Sequence, residues 1–125
     1  MTDRLVLLVD DEDDIRLVAK ACLERLGGWR VQSASSGLDA LERAHEDRPD
    51  AIVLDVMMPD LDGPGTLARL RADPATADIP VLFLTAKAQA SDRAELESLG
   101  AHAVLTKPFD PMTLADQIRA ALGWT

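Results

Sequence analysis

The chain has 125 residues, 47% of them hydrophobic, which is enough for a sizeable core and excludes a disordered sequence. Its formal net charge of −9 argues against a nucleic-acid or anionic-membrane surface, either of which needs a basic patch. A single cysteine, Cys22, excludes an intrachain disulfide, and neither an 18-residue apolar run nor a signal-peptide core is present; a cytoplasmic protein of one domain, 1–125, is expected.

The first element, Leu5–Val9, is a continuous apolar run and reads as a buried strand. It ends in five acids in a row, Asp10, Asp11, Glu12, Asp13 and Asp14. Two such charges about 5 Å apart, at an effective dielectric of about 20, repel by roughly 3 kcal/mol, so something must offset them. A helix follows over Asp13–Leu26, with Ile15, Val18, Ala19, Cys22 and Leu26 on its expected inner face. Glu12, Asp13 and Asp14 suit its positive N-terminal end. Gly27 stands where a left-handed C-cap is wanted, and Trp29 opens the mixed stretch "WRVQSA" and is expected to be partly exposed.

Val31–Ala34 is the second strand, and Gly37–Asp47, capped by Ser36, the second helix. Ala51–Leu54 is apolar again and runs into Asp55; a helix over Gly65–Ala72 comes next. Val81–Leu84 ends in Thr85, and a helix over Asp92–Leu99 is expected behind Ser91, closed by Gly100. Ala103–Leu105 leads to Lys107. The last helix, Pro111–Leu122, opens with Asp110 as cap and Pro111 at its first position, and carries Leu114, Ile118 and Leu122 four apart. His45 and His102 read as surface residues, and Trp124 as a packing residue at the end of the last helix.

Five βα units predict an α/β fold with a doubly wound parallel sheet. The continuous runs "VLLV", "AIVL" and "VLFL" belong in the centre and the two mixed strands at the edges. Right-handed crossovers then give the order 2-1-3-4-5, a flavodoxin-like (βα)5 arrangement. Ligands in such sheets bind beyond the carboxyl ends of the strands, where the strand order reverses. Asp10, Asp11 and Asp55 meet there. Thr85 and Lys107 end their strands at the same edge. Several carboxylates in one crevice suit Mg²⁺, a hard cation that takes oxygen ligands and whose charge offsets their repulsion.

The pieces "VDDE", "DVMMPDLDG", "LTA" and "TKPF", in this order and at these strand ends, resemble a response-regulator receiver domain over essentially the whole length. The resemblance implies that Asp55 accepts a phosphoryl group from a histidine kinase phosphohistidine. It implies Mg²⁺ ligation by Asp11, Asp55 and the main-chain carbonyl of Met57, with Asp10 acting largely through a metal-bound water. Thr85 would hydrogen-bond the phosphoryl oxygens, Lys107 would pair with them, and the Lys107–Pro108 bond would be cis. Output would pass from the last three elements, the fourth helix, fifth strand and fifth helix, to a downstream protein, with no direct contact to nucleic acid and no membrane insertion. The protein would not be an enzyme beyond its own phosphorylation and dephosphorylation. It would stand alone or be cut from a longer regulator.

Other classes fit less well. A dehalogenase-like phosphotransferase wants a second acid two residues after the nucleophile, where this chain has Met57. A flavin or nucleotide binder wants a Gly-, Ser- or Thr-rich phosphate loop after the first strand, where this chain has "DDEDD". A phosphorylation-independent pseudo-receiver would lack some of the acids or the lysine, and none is missing. The family's frequent aromatic residue three positions before the lysine is replaced by Val104, so an aromatic gate of the usual form is not expected. Met57 and Lys87, two positions after Asp55 and Thr85, are expected to flank the approach of water to the phosphorus and to slow hydrolysis.

Overall fold

The computed structural model describes residues 3–86 and 89–124. The elements alternate without exception: β1 (Leu5–Val9), α1 (Asp13–Arg25), β2 (Arg30–Ala34), α2 (Gly37–Asp47), β3 (Ala51–Asp55), α3 (Gly63–Ala72), β4 (Val81–Thr85), α4 (Ala90–Ser98), β5 (Ala103–Thr106) and α5 (Leu114–Leu122). All pairings are parallel, and the sheet order is β2-β1-β3-β4-β5, as the apolar runs predict.

Every residue of β1, β3 and β4 is buried, because helices cover both faces of the sheet. Alternate side chains enter two cores. On one face Leu7, Ile52, Leu54, Val81 and Phe83 pack with Leu67 and Leu70 of α3 and Leu96 of α4. On the other, Val6, Leu8, Val53, Leu82 and Leu84 pack with Ala19 and Leu23 of α1 and Leu114 and Ile118 of α5.

Several local expectations are corrected. In α1 the buried residues are Ala19 and Leu23, whereas Val18 and Leu26 are exposed and Cys22 is only half-buried. Residues 19 and 23 lie four apart on one face, so the buried stripe is narrower and rotated from the expected one. The left-handed residue after α1 is Gly28, with φ of 70°, not Gly27. Gly100, with φ of 103°, does close α4 in the left-handed region. Ser36 caps α2 by accepting the Asp39 N–H, but Ser91 lies inside α4, whose N-cap is Gln89. Asp110 caps a turn rather than α5 itself: its carboxylate accepts the Met112 N–H, and α5 begins at Leu114.

Trp29 is buried, not partly exposed. Its ring meets Trp124 edge-on at 5.2 Å, and the guanidiniums of Arg119 and Arg4 lie over Trp29 and Trp124 respectively. Arg119 also donates to the carbonyls of Leu26 and Gly27, so the end of α5 is fastened to the α1–β2 turn. This cluster lies at the edge where the strands begin.

Candidate functional site

The opposite edge, where the strands end, carries the polar groups. Asp10 directly follows β1 and is fully buried. Three contacts fix it. Its Oδ1 accepts the Glu12 N–H at 2.9 Å, its carbonyl accepts from the Arg16 guanidinium at 2.8 Å, and its own N–H donates to the Ala34 carbonyl. Asp11, Glu12, Asp13 and Asp14 are exposed. The acidic run thus divides into a buried carboxylate and a solvated helix start, with Asp13 and Asp14 in the first turn of α1.

Asp55 is the last residue of β3 and is 3% exposed. Burial, then the Asp10 charge, pushes its carboxyl up to about 6, against the opposing pull of Lys107 and the Met57 N–H. Lys107 answers both acids: its Nζ lies 2.9 Å from Asp10 Oδ2 and 3.1 Å from Asp55 Oδ1. Burial works against that ammonium, but the hydrogen bonds and charges of the two carboxylates outweigh it and hold the Lys107 pKa above its ordinary value. Thr85 ends β4 and is buried, paired in register with Thr106 of β5. The Lys107 N–H donates to the Thr85 carbonyl at 2.8 Å, and the Lys107–Pro108 bond is cis.

Carboxylate oxygens of Asp10, Asp11 and Asp55 all lie within 4.8 Å of one another. Asp10 Oδ2 is buried, and among the described residues the Lys107 ammonium is its sole polar contact. Three hard oxygen donors in one crevice, one of them otherwise unsatisfied, fit a divalent cation of the Mg²⁺ type. Met57 follows and is 66% exposed. Lys87 lies outside the described residues.

The family model "Response regulator receiver domain" matches residues 6–119. The chain belongs to the response-regulator receiver family. Receivers serve two-component signalling systems and generally bind Mg²⁺. Among relatives, the DNA-binding dual master transcriptional regulator RpaA of Synechocystis is 41% identical over 96% of this chain and 49% of its own length. The alkaline phosphatase synthesis transcriptional regulatory protein PhoP of Bacillus subtilis is 40% identical over 96% of this chain and 49% of its own. The receiver therefore spans about half the length of these regulators. The structure of the chemotaxis protein CheY4 of Vibrio cholerae superposes with a TM-score of 0.88 at 32% identity, covering 96% of this chain and 99% of that one.

Two further features border the receiver's crevice. A groove of about 420 Å³, lined mostly by apolar residues such as Ile15, Val18, Ala86 and Phe109 together with Asp14 and Lys107, opens beside it. Val104 is buried in β5, and its carbonyl accepts from the Arg93 guanidinium of α4 at 3.2 Å. No described helix is long and apolar enough to cross a membrane. Sequence reasoning missed the Arg16 and Glu12 contacts that fix Asp10. Their signal is present in retrospect: a cation on the first turn of α1, six residues after the acid.

Proposed function

We propose that Asp55 is the phosphoacceptor of this receiver, taking a phosphoryl group from the phosphohistidine of a histidine kinase or phosphotransfer protein. A carboxylate oxygen of Asp55 attacks phosphorus in line, its O–P bond forms, and the P–N bond to the donor imidazole breaks, leaving the electron pair on nitrogen. Asp11, Asp55 and the main-chain carbonyl of Met57 would hold the metal, with Asp10 acting through a bound water. A bound Mg²⁺ would supply positive charge to offset the negative charge of the carboxylates and the phosphoryl group. Lys107 moves from its two carboxylates to the phosphoryl oxygens as negative charge gathers there. Thr85 donates its hydroxyl to the same group.

One observation carries this reading. Three carboxylates and one ammonium, at or just past the ends of β1, β3 and β5, converge at one sheet edge of a family member. The apolar groove beside the crevice supports a protein donor, which would cover it. The chemistry turns over only on the receiver's own side chain, so the protein is not an enzyme with a separate substrate.

Phosphorylation would switch the surface of α4, β5 and α5 for a downstream protein. Moving an equilibrium from 1:99 to 99:1 takes about 5.5 kcal/mol. Hydrogen bonds to a charged group contribute about 1.5–3 kcal/mol each, so Thr85 and Lys107 could supply most of it. Among the described residues of α4, Leu96 is the buried anchor, while Leu99 beyond its end is half exposed, which favours α4 as the moving part. The acidic surface favours protein over nucleic acid as this segment's partner. A role independent of phosphorylation lacks support, since every acid, the threonine and the lysine are in place.

The test is mass spectrometry after incubation with acetyl phosphate and Mg²⁺. The wild type should gain one phosphoryl group, and Asp55→Ala should gain none. Full labelling of that variant at another residue would defeat the assignment.

A further inference from the structure

We infer that Gly63 is a positioning residue for the phosphoacceptor site: the absence of a side chain there lets the first turn of α3 rest directly on the end of β3 and hold Asp55 and Met57 in place. The inference rests on the roles proposed above for those two residues and deepens them.

The contacts are made by backbone. The Gly63 N–H donates to the Val56 carbonyl at 2.9 Å, and the Val56 N–H donates to the Leu84 carbonyl at 3.1 Å. Val56 sits between Asp55 and Met57. It is therefore tied on one side to β4 and on the other to α3, and the two proposed ligands project from either side of this tether. A Cβ at position 63 would lie 2.6 Å from the Asp55 carbonyl oxygen and 2.8 Å from Val56 Cα, with Phe83 Cε1 at 3.2 Å. The first two are main-chain atoms with no rotamer to yield. Any side chain at 63 must push α3 off β3 or bend the 55–57 segment. Mg²⁺ demands near-ideal octahedral geometry, and productive sites hold their groups to about 0.5 Å. Such a displacement would show in metal affinity before it showed in the fold.

Gly65 supplies the control, because it lies in the same helical turn. A Cβ there would meet Leu61 Cδ1 at 2.8 Å, the end of a flexible side chain, and at 3.0 Å Asp62 Oδ1, the carboxylate oxygen that already accepts the Gly65 N–H; none of its nearest neighbours belongs to β3. Alanine carries the same intrinsic helix propensity at either position, but at 63 it also precedes Pro64, which disfavours the helical backbone for a residue with a Cβ, so metal affinity and not stability is the quantity compared.

The experiment titrates Mg²⁺ into the full chain as wild type, Gly63→Ala and Gly65→Ala, followed by amide chemical shifts at a temperature where circular dichroism shows each protein folded. Gly65→Ala should bind within twofold of the wild type. Gly63→Ala should bind at least tenfold more weakly, with the Val56 and Met57 amides already displaced in the metal-free protein. If Gly63→Ala does not fold, Asp62→Ala takes its place. It removes the carboxylate that accepts the Gly65 N–H and loosens the same turn without adding an atom. A loss of affinity of threefold or more is then expected. Affinity within twofold of the wild type in the folded Gly63→Ala, or in Asp62→Ala used in its place, would overturn the inference. A wild type that binds no Mg²⁺ would overturn the site reading and this inference together.

Discussion

Lys107 reaches across an intervening strand to Asp55. Lys107 directly follows β5 and Asp55 ends β3, with β4 between them, yet Nζ and Oδ1 are 3.1 Å apart. Neighbouring strands lie about 4.8 Å apart, so the lysine spans roughly 10 Å of sheet edge, past the end of β4. The same ammonium meets Asp10, and together these contacts balance two buried carboxylates.

Removing that ammonium leaves both acids uncompensated. Lys107→Ala should destabilise the metal-free protein by on the order of 2 kcal/mol, below the full cost of breaking a wholly buried pair because the lysine retains some solvent access. Saturating Mg²⁺ should restore much of this, since a cation bound to the carboxylates takes over their charge balance. Urea unfolding with and without Mg²⁺ measures both quantities. A deficit that Mg²⁺ leaves untouched would contradict the proposed ligand set.

Asp55 makes stability depend on pH in a definite direction. Its carboxyl titrates at about 6 in the folded protein, against an ordinary value of 3.8. The folded state thus holds the proton more tightly than the unfolded chain does. The stability this contributes is whole below about pH 4 and is lost as the pH rises through about 6. Asp55→Asn removes the titration. Without divalent cations, the variant should match the wild type near pH 4 and exceed it above pH 6 by up to about 3 kcal/mol, at 1.36 kcal/mol per pH unit. Chemical denaturation at a series of pH values is the check; equal stabilities at pH 7 would contradict it.

Asp11 is exposed and pairs with no cation among the described ion pairs, so its removal should cost the fold little, within about 0.5 kcal/mol. Asp11→Ala should nonetheless weaken Mg²⁺ binding more than tenfold. Isothermal titration gives the affinity and thermal unfolding the stability. An unchanged affinity would remove Asp11 from the site.

Much of the fold was legible because the signals are local. Unbroken apolar runs mark β1, β3 and β4, and a parallel sheet places all their carboxyl ends at one edge, which gathers Asp10, Asp55, Thr85 and Lys107 without knowledge of side-chain geometry. What escaped depends on distant partners. Trp29 is buried by Trp124 and Arg119, far along the chain. In α1 the packing of α5 decides which apolar residues are covered, so Leu23 is core and Val18 is not. The Gly63 contact with β3 is a backbone approach, which no hydrophobic pattern reports.

Met57 should govern how long the phosphoryl group lasts. Its side chain is long, apolar and offers only a weak acceptor, so it cannot orient an attacking water. Met57→Asn should hasten loss of the phosphoryl group severalfold, and adding Lys87→Glu should hasten it further. The decay of phosphorylated protein after donor removal, at constant Mg²⁺, decides the matter. Equal or slower decay in the variants would show that water reaches phosphorus by another approach.

The tryptophan cluster has a practical optical consequence. The chain has two tryptophans and no tyrosine, and both indoles sit where the strands begin. With strands of five residues at about 3.3 Å each, roughly 16 Å of sheet separates them from the carboxylates. Intrinsic fluorescence excited at the indole band will therefore follow loss of the folded state while staying nearly silent to cation binding. One sample can then yield both quantities independently: the indole emission reads unfolding, and the amide resonances at the other edge read occupancy.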